Sequence, residues 1–188
     1  MELSHLDGNI IGVVSKDYKR DDFSEKLVKD IVLKKTADAL KMVGFTSDVA
    51  NVAFDELSTG NQNRVILASR LHDNPIVLVN FSAGLTFKDI EFFKKLFKRI
   101  ATYGKKIVLI DNNSNLLFNL VDKIYVINEE SILYETSDLF DKELSKYIDL
   151  PKIVEFTNKC EKKGIKINHY KDLDELLKAI YRIKSWDI

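Results

Sequence analysis

The distribution of apolar residues predicts buried strands that alternate with amphipathic helices. Four short apolar runs, the first interrupted by a glycine, are typical of strands buried on both faces of a parallel sheet: Ile10–Val14, Ile76–Val79, Ile107–Ile110 and Ile124–Ile127. Between these runs the apolar positions recur every three or four residues, as they do on one face of a helix. The chain is therefore predicted to form an α/β fold with helices on the faces of its sheet.

Capping residues indicate where the predicted helices begin and end. Ser58 is expected to cap a helix that ends near Pro75, and Thr86 with Asp89 resembles a capping box at the start of the next one. Spacing predicts three shorter helices and one hairpin strand: Ser24–Leu33, Thr36–Val43 and Leu116–Val121 for the helices, and Ile132–Tyr134 for the strand.

Beyond Asp138 the pattern becomes mainly helical and predicts a small C-terminal appendage. Pro151 is expected at the first position of one helix, and Cys160 lies on the apolar face of that helix as a buried structural thiol. The next elements are an edge strand at Ile165–Ile167 and a last helix capped by Asp172 with Glu175. Because a unit this short is not stable alone, it is expected to pack on the rest of the chain.

The glycine positions exclude the common phosphate-binding loops from this sequence. Seven glycines occur among the 188 residues, and no two are closer than four positions. A G-x-G-x-x-G turn needs closer glycines, and a G-x-x-x-x-G-K-[ST] loop needs a spacing that no pair of these glycines has.

Charge and composition narrow the classes of partner. The 29 acidic residues balance 29 Lys and Arg residues, so there is no surplus of positive charge for many phosphate contacts, and nucleic acid is not an expected partner. One cysteine and three widely separated histidines provide no metal-ligand spacing, so no metal site is expected. Because no apolar run approaches the ~18 residues of a membrane span and Met1–Asn9 lacks a signal pattern, a cytoplasmic location is expected.

The residues that follow Glu56 have the order of a known signature. Leu57–Arg64 has the sequence L-S-T-G-N-Q-N-R and is followed by an apolar helix, Asn74-Pro75 and the strand Ile76–Val79. In order and spacing this region resembles the signature region of ABC-type ATPases, where L-S-G-G-Q-x-Q-R precedes an apolar helix, N-P and the Walker B strand. The resemblance therefore places Ile76–Val79 at the Walker B strand.

Other segments resemble the same family in the same order. Ala83–Thr86 looks like the S-G-L-D element, and Leu120–Ile127 with Ser131–Tyr134 looks like the A-D-R-I-x-V-L segment and the strand after it. Ile11–Lys16 resembles the strand that enters the Q-loop. Leu150–Ile183 is similar to the C-terminal extension of energy-coupling-factor transporter ATPases.

This resemblance implies a definite architecture. The expected fold is an α/β, P-loop-NTPase-like sheet of the ABC ATPase type that lacks its N-terminal phosphate-loop part and carries a small C-terminal α/β appendage. The implied domains are a truncated ABC-ATPase-like domain at 1–140, with a helical subdomain at about 20–73, and a dimerisation appendage at 141–188. Because a central element of the sheet would be missing, Ile10–Val14 and Ile76–Val79 are expected to have an exposed flank or a rearranged neighbour.

The catalytic positions of the family are degenerate in this sequence. No Asp or Glu lies between Asp73 and Asp89, so the Walker B strand has no carboxylate. The degenerate positions are Lys16 for the Q-loop glutamine, Asn80, Phe81 and Ser82 for the end of Walker B, and Asn112 for the switch histidine. Lacking a metal ligand, a general base and a phosphate cradle, the chain is expected not to hydrolyse ATP alone. A phosphate loop upstream of these residues would not restore the Walker B carboxylates, the Q-loop glutamine or the switch histidine.

One role of the family survives, because in ABC dimers the signature of one subunit faces the phosphate loop of the other. The candidate residues for contact with a partner's ATP are Leu57, Ser58, Thr59, Gly60 and Asn61. The first hypothesis is a degenerate ABC transporter ATP-binding subunit that pairs with a complete ATPase subunit and a transmembrane transporter subunit. ATP and Mg²⁺ would then bind only in a composite site at the inner face of the membrane. A homodimer is the other pairing left open.

Two alternatives involve the same residues. Ser58 would cap only its own helix if the chain were a non-catalytic interaction or regulatory module that binds no nucleotide, and Thr59 and Asn61 in place of the usual Gly and Gln favour that reading. The third hypothesis is an unrelated catalytic triad of Ser58, His72 and Asp55, whose spacing lacks the turn chemistry of a nucleophile elbow.

Overall fold

The computed structural model describes residues 2–129, 131–171 and 173–184. Within these ranges one sheet contains the strands β1 Ile10–Val14, β2 Ile76–Val79, β3 Ile107–Ile110, β4 Lys123–Asn128 and β5 Ser131–Thr136. The α-helices are α1 Val28–Ile31, α2 Thr36–Met42, α3 Thr59–Arg70, α4 Phe87–Thr102, α5 Ser114–Leu120, α6 Lys152–Lys162 and α7 Leu173–Lys184. Short 3₁₀ turns lie at Leu3–His5, Ser47–Asn51, Phe54–Glu56 and Lys142–Lys146.

The strands lie in the order β2-β3-β1-β4-β5. The first four are parallel, and β5 runs antiparallel to β4 as the predicted hairpin partner. All residues of β1 and β3 are buried, as expected of parallel strands covered on both faces. The prediction of an α/β fold with a mainly parallel sheet is confirmed.

The strands β1 and β2 meet the expectation of an exposed flank or a rearranged neighbour in different ways. Gly12 of β1 lies opposite Leu109 of β3 on one side and Ile124 of β4 on the other. The exposed flank expected for Ile10–Val14 is absent, because both edges of this strand are paired. The alternative expectation, a rearranged neighbour, is met, because β1 occupies the central place that the resemblance left without a strand. Ile76–Val79 is an edge strand, which within the described residues pairs with β3 alone.

Helices α3, α4 and α5 pack on one face of the sheet. Leu67 of α3, Phe97 of α4 and Leu117 of α5 are fully buried in one cluster with Leu78 and Leu109 of the sheet. This cluster is the main hydrophobic core. It fixes where the three helices begin with respect to the carboxyl ends of the strands.

The N-terminal segment packs on the other face of the sheet. Leu6 is buried with Ile11, Val13 and Val108 in a second apolar cluster. The Lys106 ammonium group donates hydrogen bonds to the backbone oxygens of Ser4 at 2.7 Å and of Leu6 at 2.5 Å. These contacts hold the segment before β1 against the sheet.

The helix predicted at Ser24–Leu33 is reduced to the single turn α1. Glu25 has a φ of 64°, in the left-handed region that interrupts a helix. Leu27 forms an isolated antiparallel bridge with Ala53, and the N–H group of Val28 bonds to the carbonyl of Val52 at 3.0 Å. The backbone before α1 thus bonds to a distant segment, which local spacing does not reveal.

The C-terminal unit, which is the appendage predicted beyond Asp138, departs from its predictions in three details. The edge strand predicted at Ile165–Ile167 is wrong, because residues 165–170 have no regular structure and the N–H group of Ile165 bonds to the carbonyl of Cys160 at the end of α6. Helix α6 begins one residue after Pro151, which is its N-cap. Cys160 is half-buried rather than buried. The predicted cap residue Asp172 lies outside the described residues.

Aromatic contacts join the C-terminal unit to the rest of the chain, as its small size predicts. Phe140 packs edge-on against Phe118 of α5 with ring centroids 5.4 Å apart, and it stacks on His169 at 4.2 Å. Val154 of α6 is fully buried in the main core.

A second joint connects β5 to the segment before α6. The Tyr134 hydroxyl donates a hydrogen bond to the Asp141 carboxylate, and the Tyr134 ring stacks on Tyr147 with centroids 5.4 Å apart. The hydrogen bond to Asp141, with burial, raises the pKa of Tyr134 to about 12.

We expect Gly12→Val to lower the free energy of unfolding by about 1–3 kcal/mol, through overpacking against α5 and β4. A Cβ atom at this position would lie 3.2 Å from Leu117, 3.3 Å from Val121 and 3.3 Å from Ile124. Urea unfolding checks the change, and Ser131→Val, at an exposed position of β5, is the matched control with an expected effect within about 0.5 kcal/mol. Equal effects of the two substitutions would contradict the packing described for β1.

We expect Tyr134→Phe to destabilise the protein by about 1 kcal/mol below pH 10, because the bond to Asp141 is lost. A pKa raised above that of the unfolded chain stabilises the fold below the unfolded pKa, and this contribution is lost as the pH rises through the folded value of about 12. The difference between wild type and Tyr134→Phe should therefore shrink between pH 10 and pH 12, measured by urea unfolding. A difference that stays constant from pH 10 to pH 12 would contradict the bond to Asp141.

Candidate functional site

The signature residues lie at the start of α3. Leu57 is extended and half-buried against the main core, and Ser58 is the N-cap. Ser58 and Thr59 are exposed, Gly60 is buried and Asn61 is half-buried. The predicted capping role of Ser58 is confirmed, since its side-chain oxygen accepts a hydrogen bond from the N–H group of Asn61.

The weak Ser58 cap leaves hydrogen-bond donors available at the start of α3. The bond from the Asn61 nitrogen to Ser58 Oγ is 3.4 Å long, beyond the about 2.9–3.0 Å that is usual for such bonds. In the part of the chain that the structure describes, the Ser58 hydroxyl accepts this bond and donates none. The N–H groups of Thr59 and Gly60 belong to the first helical turn, which has no intrahelical acceptor. A hydroxyl donor and backbone donors therefore meet at one helix N-terminus.

Thr59 packs against the loop that follows β2, residues 80–86, which we call the β2–α4 loop. Gly84 in this loop has a φ of +68°, and a Cβ atom built there would lie 2.4 Å from Thr59 Cβ and 2.8 Å from its Cγ2. The Thr59 side chain, which stands where the family has glycine, thus fills space that a glycine at 84 leaves open.

Asn63, one turn further along α3, holds the same loop from inside. Its side-chain nitrogen donates to the carbonyls of Phe81 and Ala83, each at 2.9 Å. Its side-chain oxygen accepts from the Arg20 guanidinium at 2.7 Å. Asn63 is fully buried, and the sequence-based reasoning assigned it no role beyond the signature region.

Arg64 and the capping box of α4 connect α3 to α4. Arg64 forms a 3.0 Å ion pair with Asp89 and lies over the Phe92 ring at 4.5 Å. The Thr86 hydroxyl donates to Asp89, and this bond, with the Arg64 contact, holds the pKa of Asp89 below its usual value against the opposing effect of burial. The capping box predicted at Thr86 and Asp89 is confirmed.

The degenerate catalytic positions lie at the carboxyl ends of the strands, the edge where parallel sheets commonly bind ligands. Lys16 is exposed just after β1, and Asn80 is exposed with a φ of 49° just after β2. Phe81 is buried and packs against Phe93 with ring centroids 4.7 Å apart. Asn112 is exposed after β3.

Asp111, at the end of β3, is a buried carboxylate that the sequence-based reasoning did not single out. Its oxygens accept from the Ser82 N–H at 2.7 Å, the Ser82 hydroxyl at 2.9 Å and the Asn113 N–H at 2.9 Å. The sequence signal that could have identified Asp111 is its position directly after an apolar strand. Asp111 ties the β2–α4 loop to β3, so Ser82 is held by internal hydrogen bonds.

A cleft of about 540 Å³ with a mixed polar and apolar lining opens at the carboxyl ends of β1 and β4. Lys16 and Asn112 line it together with Asn128, and the segment Ser145–Asp149 forms its other wall. The structure thus brings two degenerate positions, Lys16 and Asn112, into one cleft.

The proposed triad does not assemble. The Asp55 carboxylate accepts from the N–H group of Glu25 at 2.8 Å. The His72 ring contacts the Lys34 carbonyl at 3.3 Å, while Ser58 caps α3. The three side chains therefore have separate partners, and the hypothesis is wrong.

The described residues contain neither a membrane-spanning helix nor a cluster of metal-binding side chains. No helix in these ranges has the length and apolar character needed to cross a bilayer. In the same ranges no group of three or more His, Cys, Asp or Glu residues is placed to hold a metal ion.

The chain is similar in sequence to proteins named energy-coupling factor transporter ATP-binding protein EcfA2. It is 28% identical to that of Streptococcus sanguinis over 190 aligned positions, covering 90% of this chain and 68% of that protein. It is also 28% identical to that of Mycoplasma capricolum subsp. capricolum over 176 positions, covering 82% of this chain and 61% of that protein. The chain thus spans about two thirds or less of the length of these curated relatives.

Solved structures support the fold. A dimeric ATP-binding cassette in a post-hydrolysis state, bound to ADP and phosphate, matches with a TM-score of 0.50 and 21% identity, covering 68% of this chain and 62% of that chain. An inward-facing ABC transporter of metal-chelate type matches with a TM-score of 0.50 and 17% identity, covering 70% and 59%. No family model matches the chain. The resemblance to ABC ATPases of energy-coupling-factor type is confirmed by the relatives, and the ABC fold by the structures.

We expect Asp111→Asn to destabilise the protein by about 1–3 kcal/mol, because an amide has one acceptor oxygen and leaves a part-buried donor of Ser82 or Asn113 without its acceptor. A double-mutant cycle with Ser82→Ala should give a coupling energy of about 0.5–3 kcal/mol by urea unfolding. The control cycle pairs Asp111→Asn with Ser69→Ala on α3, whose hydroxyl bonds to Ile66, and should be additive within about 0.5 kcal/mol. Additivity in the first cycle would contradict the contact.

Proposed function

We propose that this relative of the energy-coupling-factor ABC ATPases is an ATP-binding subunit that offers its signature, Leu57–Asn61, to ATP held by a complete ATPase subunit. The relatives that it matches carry the name of a transporter ATP-binding protein. In this proposal ATP and Mg²⁺ bind in a composite site between two subunits. The chain does not hydrolyse ATP alone.

The observation that carries the proposal is the donor set at the start of α3. A helix N-terminus favours an anion through its dipole and its free N–H groups. Ser58 adds an exposed hydroxyl that is free to donate while it accepts the long bond from Asn61. Thr59 packs on Gly84, so this departure from the family is accommodated within the chain.

The strand ends do not fit Mg²⁺-ATP by themselves. Both carboxylate oxygens of Asp111 already accept hydrogen bonds from Ser82 and Asn113. Phe81 belongs to an aromatic core cluster. Lys16 and Asn112 share the cleft, but the segment before them contains no phosphate loop. We therefore derive no hydrolytic step from these residues.

The proposed setting is a transporter at the cytoplasmic face of a membrane. The complete ATPase subunit would supply the phosphate loop, and a transmembrane subunit would supply the transport path. A domain division at residue 140, with a helical part at about 20–73, remains part of this proposal. Two copies of the chain paired through the appendage are the alternative assembly.

A second candidate function is an interaction module that binds no nucleotide. It is favoured by apolar side chains that the C-terminal helices expose, including Leu177 at 43% and Tyr181 at 71% exposure on α7 and Phe156 at 41% on α6. Exposed apolar side chains such as these are candidates for burial against a partner protein. In this alternative Ser58 only caps α3, so the two functions differ in what Ser58 does.

Two substitutions of Ser58 separate capping from donation. Ser58→Ala removes both roles, whereas Ser58→Asp keeps a good N-cap but places a negative charge at the proposed phosphate contact. We expect both to lower the ATPase rate of the complete subunit that co-purifies with the chain by roughly tenfold or more, the size of one hydrogen bond to a charged group. Only Ser58→Ala should lower the stability of the chain, by about 1 kcal/mol.

The control is Ser69→Ala in the same helix, which should leave the ATPase rate unchanged. Steady-state ATPase assays of the reconstituted pair and thermal unfolding of the chain provide the two measurements. An unchanged rate with Ser58→Asp would reject donation to the partner's ATP and favour the interaction module.

A further inference from the structure

Arg20 and Asn63 form a buried polar bridge between three separate segments. Asn63 lies on α3, Arg20 lies in the irregular segment after β1, and the carbonyls of Phe81 and Ala83 lie in the β2–α4 loop. The side-chain amide of Asn63 has two N–H donors and one carbonyl acceptor, and each finds a partner at 2.7–2.9 Å. The bridge is thus fully satisfied at a residue with 0% exposure.

The two carbonyls bracket the residue that Asp111 holds. Ser82 bonds to Asp111 from one side, and Asn63 holds Phe81 and Ala83 on either side of it. The next residue, Gly84, contacts Thr59 at the start of α3. Asn63 is therefore one of the α3 side chains that hold the β2–α4 loop, and it is the one that bonds to the loop backbone on both sides of Ser82.

Arg20 strengthens this bridge from the segment after β1. Burial lowers the pKa of Arg20, yet an arginine remains charged at every physiological pH. A charged donor on the Asn63 oxygen makes a stronger bond than a neutral one, and it polarises the amide toward the two loop carbonyls. The neighbouring Asp21 bonds to Arg70 at 2.5 Å, two turns further along the same face of α3.

We propose that Arg20 and Asn63 are positioning residues. They link the position of the signature at the start of α3 to the position of the segment after β1. The inference rests on the proposed function, because the signature is the group being positioned. Neither residue touches nucleotide. Arg20 acts through Asn63, and Asn63 acts through the β2–α4 loop and its contact with Thr59.

Two variants break the bridge at different points. Arg20→Met removes the charged donor at a half-buried position and leaves the two loop bonds of Asn63 in place. Asn63→Asp retains an acceptor for Arg20 but removes the donors to Phe81 and Ala83. Arg20→Lys is the conservative variant, and Arg70→Met is the matched control, which breaks the contact of Asp21 with α3 and leaves Asn63 untouched.

The first measurement is amide hydrogen exchange on the isolated full chain. We expect Arg20→Met and Asn63→Asp to speed exchange about tenfold at Gln62, whose N–H bonds to the Ser58 carbonyl, and at Ser82, whose N–H bonds to Asp111. Arg20→Lys should restore part of the protection, and Arg70→Met should leave both amides unchanged. Unchanged exchange at Gln62 in Arg20→Met would overturn the inference.

The second measurement is the ATPase activity of the complete subunit reconstituted with each variant. We expect Arg20→Met to lower kcat about tenfold, and Arg20→Lys to restore part of it. The affinity of the two subunits for each other, measured without nucleotide, should be unchanged. If Ser58→Ala lowers the rate and Arg20→Met does not, the positioning role fails while the proposed function stands. If Ser58→Ala has no effect either, the proposed function fails. A loss of subunit affinity equal to the loss of rate would show a merely structural role and overturn the inference.

Discussion

The hydrogen bonds that hold the β2–α4 loop are the constraint on which the arrangement of the site depends. Asp111 binds Ser82 from the sheet, and Asn63 binds the carbonyls on both sides of Ser82 from α3. Gly84 then meets Thr59 so closely that a methyl group would not fit between them. The β2–α4 loop therefore connects the sheet directly to the signature helix.

This constraint changes the role of the strand ends. Ser82 and Asp111 lie at the edge of the sheet where ligands commonly bind, but their polar atoms bond to each other. The donors that remain available lie at the start of α3, at Ser58 and in the first helical turn. The strand ends keep only exposed side chains such as Lys16 and Asn112 for a ligand, while the start of α3 combines a hydroxyl with backbone donors.

The elements with strong local signals were predicted well. Apolar runs located four of the strands, and Thr86 with Asp89 located the start of α4 to the residue, because capping and burial act over a few neighbouring residues. The helix predicted at Ser24–Leu33 was too long, because only Val28–Ile31 is helical, and the strand predicted at Ile165–Ile167 was wrong. In the first the backbone bonds to residues 52–54, and in the second it bonds back to α6, and neither partner is visible in local periodicity.

The sequence by itself determined the α/β class, the absence of a phosphate loop from these residues, and the resemblance of Leu57–Arg64 to a signature region. Only the tertiary structure decided that β1 is the central strand, because an apolar run indicates burial but not the neighbours with which a strand pairs. Likewise, only the fold joined Arg20 to Asn63, which are 43 positions apart in the chain, and Ser82 to Asp111, which are 29 apart. Hydrogen bonds depend on distance in space, which spacing along the chain does not specify.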